Sequence, residues 1–278
     1  MAPPLRIFGE PDATIDWCES NFEVSEYVAE FWNTISSLFI LVSPLMGLFY
    51  MKNQNLERRC HFMMLVMIVI GIGSVLFHCT LRYSMQLMDE VPMIYGTSAI
   101  CYFLFEVKKP PNSANVKLIL LLTVYCAAFT ISYLTVKNPY IHETMFLILV
   151  AVNVLCGFKM IFDKGAHLSD NCKKLFALGI VMYVFSGLTW NGDNRLCSGL
   201  QGLRMRHLPH WMAPVTQLHA WWHFFSGIGT YVITMSLMEY RMRILDRPCD
   251  VKWKWFGPIL ILQPKPKSIY DHIPRAKK

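Results

Sequence analysis

The chain alternates between long apolar runs and short polar segments. Each apolar run approaches the roughly 20 residues that a helix needs to cross a bilayer. We count seven of them, at residues 31–51, 62–81, 87–105, 116–136, 141–162, 175–190 and 214–237. The pattern predicts an all-α integral membrane protein with seven transmembrane helices. A further run at 253–262 is too short to span and contains Pro258, so we expect it at the membrane interface.

Composition agrees with a membrane location. The 278 residues are 54% hydrophobic and 16% charged, whereas a soluble domain is about 25% charged. A net charge of +7 would suggest nucleic acid as a partner of a soluble protein. Here we attribute it to cytoplasmic loops and expect no nucleic-acid partner. The first 30 residues hold seven acidic side chains and only Arg6 as a base, the opposite of the charge that begins a signal peptide.

The positions of lysine and arginine predict the orientation. With the N-terminus outside, ten of the 26 basic residues lie in inner loops, ten in the C-terminal tail and six on the outer side. The excess inside favours an outer, lumenal N-terminus and a cytosolic C-terminus. We therefore expect a lumenal segment 1–30, a transmembrane domain 31–240 and a basic cytosolic tail 241–278.

Ionisable and polar residues inside the spans are the candidate functional groups, because burying them in a bilayer is costly. His219 and His223 are four residues apart, as are Ser74 and His78, so each pair shares one helix face. Asp89 opens the third span. Because consecutive spans cross the membrane in alternate directions, the end of span two and the starts of spans three and seven lie at the same membrane level. We expect His78, Asp89, His219 and His223 to converge there, near the outer, lumenal leaflet.

Three histidines with one open position are a common catalytic zinc site. Zinc would lower the pKa of water, Asp89 could accept its proton, and Ser74 could donate to a developing oxyanion. Other interpretations stay open at this point. A lone intramembrane histidine often only bonds another helix, and Asp89 could be a fourth ligand that closes the site. The chain could also be a receptor with structural zinc. A metal or proton transporter is disfavoured because all three histidines lie at one depth.

A second polar cluster precedes the first span, in DWCESNFEVSEYVAEFW at 16–32. Asp16, Glu19, Asn21, Glu30 and the Trp17 carbonyl offer the oxygen ligands that calcium requires. The residues alone favour a simpler reading, in which the carboxylates stabilise the N-terminus of the first helix. Cys18 lies in this cluster and Cys197 in the predicted loop before span seven. Both fall on the oxidising side, so they could pair.

Six motifs resemble the alkaline ceramidases, within the membrane-hydrolase superfamily that also includes the adiponectin receptors. They occur in the family's order and cover most of the chain. The motifs are DWCESN at 16–21, AEFWNT at 29–34, GSVLFHCTL at 73–81, QLMDEVPMIY at 86–95, WNGDNRLC at 190–197 and QLHAWWH at 217–223.

The resemblance implies an enzyme and assigns its site. It implies zinc on His78, His219 and His223, with Ser74 and Asp89 completing the catalytic site. It also implies calcium on Asp16, Trp17, Glu19, Asn21 and Glu30, against the simpler reading above, and a disulfide between Cys18 and Cys197. The implied reaction is zinc-dependent hydrolysis of the N-acyl amide bond of ceramide. We expect the protein to be embedded in the bilayer of the endoplasmic reticulum or Golgi and to have no obligate protein partner.

Overall fold

The fold is mostly helical. The computed structural model describes residues 7–54, 56–111, 113–162, 168–247, 249–254 and 257–262. The α-helices are α1 (Phe31–Ser36), α2 (Leu38–Met51), α3 (Arg58–Thr80), α4 (Tyr83–Glu106), α5 (Val116–Val136), α6 (Pro139–Ile161), α7 (Asp170–Arg206) and α8 (Leu218–Ile244). A 3-10 helix, His210–Thr216, lies between α7 and α8, and strands β1 (Cys249–Lys254) and β2 (Gly257–Leu262) follow α8.

Five helical segments of the described chain are long and apolar enough to cross a membrane. They are Phe31–Met51, which joins α1 and α2, then α3, α5, α6 and α7. Helices α4 and α8 are 24 and 27 residues long but fall outside this set. Both bury polar and ionisable side chains, including Asp89, Glu90 and Glu239. These side chains face other helices rather than lipid, which lowers the hydropathy of a helix without exposing charge to the bilayer.

Helix α8 lies at the centre of the bundle and packs against α7, α2 and α1. Helix α3 packs between α2 and α4, and α6 packs on α4. Glycines allow two of these contacts to be close. A Cβ at Gly227 of α8 would lie 2.9 Å from the Cα of Ile40, and one at Gly73 of α3 would lie 2.1 Å from the carbonyl oxygen of Met88. The second contact matters for the site, because Ser74 and Asp89 are the neighbours of those two residues.

One segment differs from the sequence-based expectation, and a second forms strands that the sequence did not predict. Residues 191–206, predicted as a polar loop, continue α7 to Arg206, so Cys197 is helical. The described residues of the run at 253–262, which we expect at the membrane interface, belong to strands β1 and β2, and these pair antiparallel with Cys249 opposite Leu262. Leu260 of β2 is fully buried, and Tyr231 of α8 donates a hydrogen bond to the Pro258 carbonyl at 2.7 Å. The strand pair therefore packs on the bundle.

The residues at the start of the expected tail are helical. Helix α8 runs four residues beyond the expected boundary at 240, and its Arg241 side chain is buried. Arg241 donates to Glu57 at 2.7 and 2.9 Å and to the carbonyls of Val107 and Lys109 at 2.6 and 2.7 Å. These bonds tie the end of α8 to the start of α3 and the end of α4. The remainder of the tail, 263–278, lies outside the described residues.

Candidate metal centre

Three buried histidines converge where α3 ends and α8 begins. His78 lies in the last turn of α3, and His219 and His223 occupy the first two turns of α8. Their ligand nitrogens all lie within 4.8 Å of one another. The ring centroids are 4.7 to 5.1 Å apart. The prediction that these three side chains meet at one level holds in this structure.

Hydrogen bonds set the tautomer of two of these rings. His78 Nδ1 lies 2.5 Å from a Glu30 carboxylate oxygen. His223 Nδ1 lies 2.8 Å from Ser36 Oγ. The Ser36 hydroxyl donates its own hydrogen to the Asn33 carbonyl. Both Nδ1 atoms therefore donate, and both Nε2 atoms keep a lone pair. Metal-binding histidines usually have such an acceptor at the ring nitrogen that does not bind the metal, so these histidines fit a metal ion.

His219 is held through its backbone and its ring face. Its N–H donates to Asp193 Oδ1 at 3.1 Å, and the Trp17 indole stacks on its ring at 3.6 Å between centroids. His219 Nδ1 has no hydrogen-bond partner among the described residues. Its orientation is therefore set by stacking and by the helix N-terminus, in contrast to the other two rings.

Ser74 lies beside the histidines, and Asp89 lies on the neighbouring helix α4 in the wall of a cavity. Ser74 is fully buried; its Oγ is 3.4 Å from His223 Nε2 and 2.9 Å from Ser37 Oγ. Asp89 is 6% exposed and lines an apolar cavity. It does not belong to the three-histidine group. Asp89 is therefore a buried cavity residue that stands outside the three-histidine group.

The four side chains predicted to bind calcium all make hydrogen bonds in this structure. Glu19 accepts from the backbone N–H groups of Trp32 and Asn33 at 2.7 and 2.8 Å, which satisfies the free donors at the start of α1. Burial raises its pKa to about 7. Asn21 donates to Asp16 at 3.0 Å. Glu30 accepts from the Trp17 N–H at 3.2 Å, from Asn33 Nδ2 at 3.1 Å and from His78.

Cys18 and Cys197 come together. Their sulfurs are 2.27 Å apart and their Cα atoms 5.2 Å apart, within the Cα range of disulfides. Arg204 donates to the Cys18 carbonyl at 3.1 Å. The bond joins the N-terminal segment to α7 rather than to a loop.

Sequence reasoning missed Asp193. This carboxylate is 1% exposed and accepts from the N–H of His219 at 3.1 Å and from the N–H of Cys18 at 3.0 Å. It therefore links α7, the N-terminal segment and the first turn of α8. The residue stands inside the WNGDNRLC motif, but a span predicted to end at 190 put it in a loop.

An apolar cavity extends away from Asp89 and Trp222 between α2, α3, α4, α6, α7 and α8. Its walls are mainly aliphatic side chains, with methionines from α3 and α4. A cavity of this kind suits hydrocarbon. The fold and the site together define a helical membrane protein with a buried three-histidine cluster that could hold a metal ion and that adjoins a cavity suited to lipid chains.

The comparisons identify the family within that class. The sequence profile described as Ceramidase matches residues 9–262, so this chain belongs to the ceramidase family. It is 36% identical to alkaline ceramidase 3 of Mus musculus, over 96% of this chain and all of the relative. It is 29% identical to alkaline ceramidase YPC1 of Saccharomyces cerevisiae, over 95% of this chain and 89% of the relative. An Arabidopsis thaliana alkaline ceramidase is also 29% identical, over 96% and 100%. The family resemblance expected from the sequence motifs is confirmed.

Proposed function

We propose that this protein is a zinc-dependent amidohydrolase that cleaves the N-acyl bond of ceramide into a sphingoid base and a free fatty acid. The observation that carries the proposal is the convergence of His78, His219 and His223 next to a cavity whose wall includes Asp89. Membership of a family whose relatives are named alkaline ceramidases supports the substrate. The apolar cavity that begins at Asp89 supports it independently, since ceramide carries two hydrocarbon chains.

The three histidines would hold the zinc, which when bound supplies a Lewis acid that polarises the amide carbonyl and lowers the pKa of water. Asp89 accepts the proton of the attacking water and passes it to the departing amine nitrogen. Ser74 now bonds to Ser37; a rotation of its hydroxyl would let it donate to the carbonyl oxygen as negative charge develops there. Glu30 and Ser36 keep His78 and His223 in the tautomer that offers Nε2.

A receptor with a structural zinc is the other reading that the residues left open. Such a receptor needs no carboxyl beside the metal and no hydrocarbon cavity that begins at that carboxyl. Asp89 lies in the cavity wall and outside the histidine group, which favours the enzyme.

The same proposal includes seven spans, counting α4 and α8 with the five apolar segments. Both are longer than the roughly 20 residues that a bilayer requires, and both pack within the bundle. The basic residues then place the N-terminus in the lumen and the C-terminus in the cytosol. We expect a multi-pass protein of the endoplasmic reticulum or Golgi membrane.

Calcium bound by Asp16, Glu19, Asn21, Glu30 and the Trp17 carbonyl completes the proposal. Glu19 and Glu30 are 4% and 0% exposed, and two buried carboxylates this near the start of α1 would be stabilised by a hard cation. The ion would hold the N-terminal segment, together with the Cys18–Cys197 bond. It does no chemistry.

The test is product analysis of the purified protein with defined ceramides, with and without chelator. We expect a sphingoid base and a fatty acid in equal amounts, loss of turnover with chelator, and recovery with zinc. His78→Ala should abolish turnover and lower bound zinc well below one per chain. His61→Ala, at the opposite end of α3, should leave both close to those of the parent. Full turnover by His78→Ala protein would contradict the proposal.

A further inference from the structure

The cavity is long and has walls from several helices. Along α4 it is lined from Asp89 to Leu104, and along α8 from Trp222 to Leu237. At 1.5 Å per residue, the fifteen steps from one end of each stretch to the other span about 22 Å. The cavity therefore extends far beyond the metal centre, with room along its length for a hydrocarbon chain.

Polar side chains interrupt this apolar wall, and most of them are already satisfied by their own helix. Thr97 donates to the Met93 carbonyl at 2.7 Å. Ser226 donates to the Trp222 carbonyl at 2.6 Å, and Thr234 to the Thr230 carbonyl at 2.8 Å. Such bonds to the preceding turn leave the hydroxyl hydrogen engaged. These three side chains require no ligand.

Asn153 of α6 is different. Its Nδ2 donates to the Thr97 carbonyl at 2.9 Å. Because a carbonyl only accepts, the amide must direct its NH₂ group there, and this fixes which end of the side chain remains. The remaining Oδ1 is buried and has no partner among the described residues. A buried acceptor without a donor is unfavourable, so a donor at this place would be retained.

Tyr183 of α7 adds a second polar group to the cavity wall. Its hydroxyl oxygen accepts from Thr230 Oγ1 at 3.3 Å. Its own hydrogen is therefore directed away from Thr230, and both side chains line the cavity. Asn153 adds an acceptor to the cavity wall and Tyr183 a donor, and a hydroxyl group can pair with either of them.

Distances measured along α4 and along α8 place these polar groups at the same depth in the cavity. Thr97 follows Asp89 by eight residues, about 12 Å along α4, and Thr230 follows His223 by seven, about 10 Å along α8. The polar groups therefore lie roughly halfway along the cavity, well beyond any atom next to the scissile amide.

We propose that Asn153, with Tyr183 and Thr230, forms a recognition site for a hydroxyl group carried part-way along a hydrocarbon chain of the substrate. This inference rests on the proposed ceramide hydrolysis and narrows its substrate class. Ceramides with a mid-chain hydroxyl bind with that hydroxyl donating to Asn153 Oδ1. An unsubstituted chain leaves the same oxygen unpaired.

Competition between ceramides tests this site. Purified full-length protein receives pairs of equal chain length, one unsubstituted and one with a single hydroxyl. The hydroxyl is placed next to the amide or mid-chain, and on the acyl chain or on the base. In one of the two chains, a mid-chain hydroxyl should raise kcat/KM about three- to tenfold, as expected for one net hydrogen bond. A hydroxyl next to the amide should not produce this preference.

Asn153→Leu removes the acceptor at nearly constant volume, and its preference ratio should fall to about one. Zinc content and melting temperature report whether it folds, and Asn153→Ala serves as the second variant. Val150→Ala, on the same wall of α6, enlarges the cavity without removing a polar atom and should keep the preference. No mid-chain preference in either chain, or an equal preference in the Asn153 variants, would overturn the site; an ordered water on Oδ1 gives this result.

Failure of the proposed function is distinguishable from failure of this site. If the parent cleaves no ceramide, the hydrolysis proposal fails, and binding then decides the recognition site. A mid-chain-hydroxylated fatty acid should raise the melting temperature of the parent more than an unsubstituted acid of equal length. The two acids should act equally on Asn153→Leu. Equal shifts in the parent would overturn the site.

Discussion

At the scale of single residues, the proposed site has three kinds of groups: histidines that would bind zinc, side chains that orient these histidines, and the Asp89 carboxyl, which we propose as the base. Glu30 and Ser36 occupy the Nδ1 atoms of His78 and His223. Asp89 lines the cavity and lies outside the histidine group. This division makes the roles separable by measurement, because a lost ligand and a lost base have different effects on metal content.

Asp89→Asn should keep most of the zinc and lose turnover by about a hundredfold or more, the usual contribution of a general base. Metal analysis and product formation on the same preparation check this. Glu90→Gln is the matched control, since Glu90 is the adjacent carboxyl and accepts from Gln86 at 2.9 Å and from Tyr133. Its turnover should fall less than tenfold. If Asp89→Asn loses zinc and activity together, Asp89 is a zinc ligand and not the base.

Asp193→Ala should weaken zinc retention by about ten- to a hundredfold, the usual effect of losing a group that orients a ligand. The reason is that two backbone N–H groups lose their acceptor, one of them belonging to His219. Chelator titration measures the effect. Asp170→Ala, on the same helix and at an exposed position with 88% side-chain accessibility, should retain zinc as the parent does. Unchanged zinc retention in Asp193→Ala would show that Asp193 does not orient His219 for zinc binding.

At the scale of elements, the N-terminal segment acts as part of the site. Glu30 N–H donates to the His78 carbonyl at 3.0 Å, and Ala29 N–H to the Cys79 carbonyl at 2.9 Å. These bonds lay the segment along the end of α3. Glu19 then caps α1, which begins at the next residue after Glu30. Order in this segment and order at His78 are therefore connected.

Calcium should raise the melting temperature of the parent and fail to raise that of an Asp16→Ala, Glu19→Ala double variant. The variant should also be less stable and less active while its zinc content stays near normal, because both carboxylates lie apart from the histidines. Glu23→Ala with Glu26→Ala removes two exposed acids of the same segment and should keep the calcium shift. An equal shift in both double variants would place the ion elsewhere.

At the scale of the whole molecule, the bundle is fastened at both ends of α8. At one end, Asp193, the Cys18–Cys197 pair and the N-terminal segment surround its first turn. At the other, Arg241 joins Glu57 and the carbonyls that follow α4. Helix α5, by contrast, is mostly exposed, as expected of a helix that faces lipid.

Cys197→Ser should lower the free energy of unfolding by about 2–4 kcal/mol, the usual contribution of a disulfide that closes a long loop. The bond spans 179 residues. Thermal unfolding in the absence of reductant measures the effect, and reductant should destabilise the parent and leave the variant unchanged. Cys156→Ser changes a free, half-buried thiol and should behave as the parent. Peptide mapping that finds Cys18 and Cys197 free would refute the bond.

The sequence by itself determined the apolar helices, the family and the three histidines. Helical periodicity and the antiparallel threading of adjacent spans suffice to bring His78, His219 and His223 to one level. It could not determine where α7 ends, because residues 191–206 are polar and mostly exposed, and the one buried residue among them, Asp193, is enclosed by contacts with α8 and the N-terminal segment. Only the tertiary structure therefore revealed Asp193, the strand pair packed on α8, and the unpaired Asn153 oxygen. Each depends on which neighbours enclose a polar group, and that is decided by packing between segments far apart in the chain.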